Sequence, residues 1–119
     1  MSNVKPVNLA EKLSLFSDTW APRSVGSFKD NDLMLVIGEG EFDWHSHPET
    51  DDFFMVVTGK LDIELRDDTV TLGPGERYVV PAGVEHRPVA RPVAAILLIE
   101  PSGTPNTGDP TTAVTKTRI

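Results

Sequence analysis

The chain has 119 residues, which fits one domain and leaves no room for a second. Eleven basic residues against eighteen acidic ones give a net charge of −7, which argues against nucleic acid or an anionic membrane surface as a partner. The absence of cysteine excludes disulfides, zinc-thiolate sites, iron–sulfur clusters and cysteine nucleophiles.

In chain order, residues 8–16 predict a short helix. Asn8 can cap it, Glu11 stands three residues later as a capping box requires, and Leu9, Leu13 and Phe16 fall on one face. Residues 20–28, with Pro22 and Gly26, read as an extended lead-in. Strands are then expected over 33–37, 41–47 and 52–58, the second ended by Pro48. Thr58-Gly59 reads as a turn into 60–65, where Leu61, Ile63 and Leu65 face in and Lys60, Asp62 and Glu64 face out. Further strands are expected over 69–72 and 76–80, separated by Gly73-Pro74-Gly75. His86 opens the next segment after Pro81-Ala82-Gly83, and 93–99 closes the set as a fully buried strand. Many short strands punctuated by Gly and Pro imply an all-β sandwich or barrel. The division is a lead-in over 1–32, a barrel over 33–100 and a tail over 101–119. That tail is rich in Pro, Gly, Ser and Thr through residue 112 and reads as a surface-hugging or mobile strap, while 113–119 is open to packing locally or crossing to a partner. No signal peptide is legible, and the longest apolar run, 93–99, is too short to span a bilayer. A cytoplasmic protein with no membrane partner is expected.

The chemistry gathers in a few residues. All three histidines, His45, His47 and His86, belong to one pattern with Asp52. On a strand, positions i and i+2 point both imidazoles of His45-Ser46-His47 to the same face. Neutral imidazoles plus one carboxylate suit a divalent transition metal (Mn, Fe, Ni, Co or Zn) and leave two positions of an octahedral ion open. The opposing reading, unrelated polar residues at strand ends, explains His-x-His alone but not the spaced carboxylate and the second segment.

Gly40, His45, His47, the acid at 52 and Gly59 resemble the first conserved motif of the cupins. Gly75, Pro81, Gly83 and His86 resemble the second. The resemblance implies a double-sheet jelly-roll barrel holding a metal at His45, His47, His86 and Asp52, with a small molecule as ligand or substrate, and a homodimer. It covers oxygenases, isomerases (including mannose-6-phosphate isomerase-like proteins), epimerases and decarboxylases. It also covers binding or sensing modules without turnover, and degenerate members with weakened metal binding. Two positions depart from the motifs. Asp52 stands where glutamate is usual and is shorter by one carbon–carbon bond, and Ala90 stands where asparagine is usual. Glu49, in the preceding turn, is an alternative acid, while Asp51 is expected on the opposite face.

Other candidates are weighed against structural roles. Trp20, Phe42 and Trp44 can wall a small-molecule pocket or belong to the core or an interface, and Trp44 should point away from the histidines. Phe54 and Val56 share the face of Asp52. Arg87 and Arg91 can bind an acidic substrate or stand solvated.

Overall fold

The computed structural model describes residues 4–119. It contains one helix, α1 (Leu9–Leu13), and seven strands: β1 (Arg23–Phe28), β2 (Asn31–Glu41), β3 (Asp52–Leu65), β4 (Thr69–Leu72), β5 (Arg77–Val80), β6 (His86–Pro101) and β7 (Thr117–Arg118). The order across the sheet is β4-β3-β6-β2-β1-β7, with β5 also paired to β3. This is the all-β jelly-roll arrangement expected.

The helix is shorter than predicted. Asn8 caps it, its side-chain oxygen accepting from the Glu11 amide at 3.0 Å. The Ser14 amide is then shared between the Ala10 and Glu11 carbonyls, and the Ser14 hydroxyl donates to the Glu11 carbonyl. That tightening ends the helix before Phe16. Phe16 turns instead to the Arg23 guanidinium, 4.8 Å from its ring.

Several predicted strands merge. Residues 31–41 form one strand, and 42–47 leave the sheet except for an isolated bridge between His45 and His86. The change comes at Gly40, which has a φ of 63° beside a register shift in β2. Thr58-Gly59 is likewise no turn: β3 runs unbroken through it. Strand β6 explains why. It lies between β2 and β3 along their lengths and acts as a continuous template for both.

In place of the turn that local sequence suggests at Thr58-Gly59, the strand carries bulges. Strand β3 shifts register between Val56 and Thr58 and again between Gly59 and Leu61, opposite residues 90–96 of β6. A bulge bends the strand and reverses which parity faces in. Asp52, Phe54 and Val56 are buried before the shifts; Leu61 and Ile63 are buried after them. The inward face of the 60–65 segment is therefore as expected. Gly59 is required there: its φ is 85°, and a Cβ would run into the Val93 carbonyl.

The core is filled by inward residues of β2, β3 and β6, with Met34, Val56, Leu61, Ile63 and Ile96 fully buried. Lead-in residues 23–28 are a true strand on β2, and the chain end returns as β7 to pair in parallel with β1. Among the described residues no helix is long and apolar enough to cross a membrane.

Candidate metal centre

The four side chains of the predicted site come from three chain segments. His45 and His47 lie on the segment that leaves β2. Asp52 is the first residue of β3, and His86 the first of β6. The two histidine segments are tied together by reciprocal backbone bonds, His45 N–H to the His86 carbonyl at 3.0 Å and His86 N–H to the His45 carbonyl at 2.9 Å. The amide of Gly83 donates to the His47 carbonyl at 2.9 Å, fixing the Pro81-Ala82-Gly83 turn against the same segment. Two sheet-register bonds and one turn thus aim three imidazoles inward without a regular strand beneath His45 and His47.

The four side chains converge. Asp52 Oδ2 lies 2.8 Å from His86 Nε2, 3.2 Å from His47 Nε2 and 3.8 Å from His45 Nε2. One donor atom from each residue falls within 4.8 Å of every other, and all four residues are largely shielded from solvent. Two ligand atoms each about 2.1 Å from one ion and at right angles stand about 3 Å apart, so the carboxylate contacts fit a shared cation. Aspartate at 52 therefore reaches the cluster despite its shorter side chain. Glu49 is not part of the group, and Asp51 points elsewhere, its Oδ1 accepting from the Ala82 amide at 3.0 Å.

Proton inventory supports the same fit. His45 Nδ1 faces the Asp43 carbonyl and His86 Nδ1 the Val84 carbonyl, each at 2.9 Å. A carbonyl can only accept, so both Nδ1 atoms carry the proton and both neutral rings turn a lone pair toward Asp52. Lone pairs facing a buried carboxylate repel it unless imidazolium protons or a metal ion lie between them. His47 Nδ1 is buried with no hydrogen-bond partner among the described residues. Burial pushes the Asp52 carboxyl up, but where the rings of His45, His47 and His86 carry a proton on Nε2, their hydrogen bonds to Asp52 outweigh burial and hold this carboxyl well below the usual carboxylate range. The donor set is thus an anionic, nitrogen-rich cluster that could hold a divalent transition metal.

A pocket of about 430 Å³, counted out to its open mouth, leads to the cluster. Trp20, Phe42 and Phe54 form its aromatic walls together with Ile96 and Leu98. Phe42 meets His45 edge-on at 5.3 Å, and Phe54 meets His86 at 5.8 Å. Trp20 is held by its indole N–H donating to the Glu39 carbonyl at 3.0 Å and by Gly38, where a Cβ would stand 2.7 Å from the ring. Trp44 points away, as expected, with the Arg66 guanidinium 3.9 Å and that of Arg87 5.4 Å from its ring. Arg87 and Arg91 are not available to a substrate: Arg87 pairs with Glu41 and Glu64, and Arg91 with Asp62 and Glu64.

Sequence reasoning missed two residues at this site. Glu100 and Asn106 also line the pocket. The legible signal was an acid continuing the inward alternation of Ile96 and Leu98.

Residues 32–100 match the cupin domain. The chain belongs to the cupin family. It is 46% identical to a cupin-2 domain containing protein from Shewanella frigidimarina NCIMB 400, over 80% of this chain and 93% of that one, with a TM-score of 0.79. It is similar to protein NMB1881 from Neisseria meningitidis at 29% identity, over 82% of this chain and 100% of that one, with a TM-score of 0.74. It also matches the uncharacterised protein YdbB of Bacillus subtilis strain 168 at 35% identity over 65 residues, 54% of this chain. That match spans 58% of YdbB, just over half its length.

Proposed function

We propose that this cupin holds one divalent transition metal ion (Mn, Fe, Ni, Co or Zn) at His45, His47, His86 and Asp52 and acts there on a small molecule, as an oxygenase or isomerase. The observation that carries this reading is the convergence of four buried donor atoms within 4.8 Å at the base of a pocket. When bound, the ion supplies Lewis-acid polarisation of a substrate oxygen at its open coordination positions. The chain supplies the rest. The Asp43 and Val84 carbonyls hold two of the imidazoles in the tautomer that turns Nε2 inward. Asp52 provides the negative charge that favours a cation. Trp20, Phe42 and Phe54 give apolar walls that exclude water and orient a small organic body.

Elemental analysis of untagged protein, after adding manganese, iron, nickel, cobalt and zinc in turn, tests the reading. The expected result is about one equivalent of at least one metal per chain, and less than about a tenth with every metal overturns it. Oxygen uptake with catechols, thiols and diketones then separates an oxygenase from an isomerase or a binding module without turnover. The family resemblance also motivates a cytoplasmic homodimer, whose mass light scattering measures directly.

A further inference from the structure

Strand β6 carries an acid where its pattern asks for an apolar residue. Ile96, Leu98 and Glu100 alternate on its inner face, with relative exposures of 0%, 9% and 4%. A carboxylate at such a position costs free energy unless it is paired or used. Glu100 is half paired: Lys116 Nζ lies 2.6 Å from its Oε1. That lysine is 14% exposed at its side chain and also donates to the Thr104 carbonyl, which anchors it in the C-terminal tail. Glu100 Oε2 has no hydrogen-bond partner among the described residues, and Glu100 lines the pocket that holds His45, His47 and Asp52.

Register sets where this carboxylate stands. Phe53 pairs with Ile99 and Phe54 with Leu98. Asp52 and Glu100 each lie one residue beyond the Phe53–Ile99 pair, and both are buried on the inner face of their strands. The Lys116 ammonium lies on Glu100 rather than on Asp52, leaving one free acceptor oxygen beside the metal cluster.

We infer that Glu100 Oε2 accepts a hydrogen bond from a hydroxyl carried on the carbon next to the metal-binding group of the ligand, so that the pocket selects α-hydroxy acids and related vicinal hydroxy compounds. This rests on the metal reading above. A ligand oxygen at the cluster places an adjacent O–H beside this acceptor, while the body of the ligand meets Trp20, Phe42 and Phe54. An ether at the same place keeps the oxygen lone pairs that a metal takes but has no proton for Glu100. Lys116 is a positioning residue: by occupying Oε1 it leaves Oε2 as the acceptor.

The test uses the full-length protein loaded with cobalt(II), its visible absorption titrated with mandelate and with α-methoxyphenylacetate. Wild type is expected to bind mandelate at least about tenfold more tightly, the range of a hydrogen bond to a charged acceptor. Equal affinities overturn the inference without any variant. In Glu100→Gln, Lys116 retains the amide oxygen and an NH₂ donor replaces Oε2, so the preference is expected to fall to about onefold or to invert, with cobalt stoichiometry unchanged. A tenfold preference that survives in a variant with full cobalt content assigns the acceptor to another group and overturns the inference. Failure of the wild-type protein to take up cobalt or any other metal is a different result: it overturns the proposed function, and this inference with it.

Discussion

At the scale of single residues, the site is a problem of acceptors. Asp52 and the inward lone pairs of His45 and His86 all face one small volume, and the backbone carbonyls of Asp43 and Val84 lock that arrangement. Glu100 adds a second carboxylate on the same inner face. Burial pushes its carboxyl above the usual glutamate range, while Lys116 pulls it back down. The sign for stability follows. Folded protein holds the Glu100 proton to higher pH than unfolded protein, so the contribution is full below the ordinary glutamate value of about 4.3 and is lost as pH rises through the raised folded value. Urea unfolding of metal-free protein between about pH 4 and pH 7 should therefore show a decline in stability across this window that Glu100→Gln reduces. The histidines and Asp52 were legible as a set from residue type and spacing. Glu100 was not, because an acid after an apolar run also reads as the end of a strand. Only the two strands flanking β6 show that the inner face continues past Ile99.

At the scale of elements, the long strands matter more than the short ones. Gly59, which reads locally as a turn, sits inside a continuous strand, because β6 offers paired backbone on both sides and that pairing outweighs local turn preference. The bulge at 56–58 puts one extra residue of β3 opposite β6 and reverses parity, and the shift at 59–61 leaves it unchanged, so that Asp52 at one end of β3 and Ile63 near the other both face inward. Gly59→Ala tests this geometry. The new methyl meets the Val93 carbonyl at a backbone φ of 85°, and either β3 or β6 must shift. A loss of about 2–4 kcal/mol is expected by chemical denaturation, the combined scale of a strained backbone position and an overpacked contact. The helix shows the same priority of tertiary contacts. Its cap formed as expected, but Phe16 left the helical face for Arg23.

At the scale of the whole molecule, the C-terminal tail is part of the pocket. Gly108 lies so close to the Ser46 carbonyl that a Cβ would clash, Asn106 lines the cavity, and Lys116 pairs with Glu100 before β7 joins β1. Removing residues 114–119 deletes Lys116 and β7 and leaves the Glu100 carboxylate buried and unpaired. That truncation is expected to cost about 3 kcal/mol of stability at pH 7, measured by urea unfolding, with a smaller loss near pH 4, where Glu100 takes up a proton. The composition of the tail by itself predicts only a strap. Its contact with the site depends on residues more than fifty positions apart in the chain, from Ser46 to Gly108, and local composition carries no information about such pairs.

The sequence alone determined the family, the all-β class and the four residues of the cluster that could hold a metal. These rest on residue identity and short spacings: imidazoles two apart, a carboxylate just beyond, and glycines and prolines that restrict φ. Tertiary structure alone decided which strands are continuous, that Asp52 reaches the histidines, that Arg87 and Arg91 are already paired, and that Glu100 and the tail complete the pocket. The physical reason is that register, bulges and long-range pairing are settled by the backbone of a neighbouring strand, and that neighbour is distant in sequence.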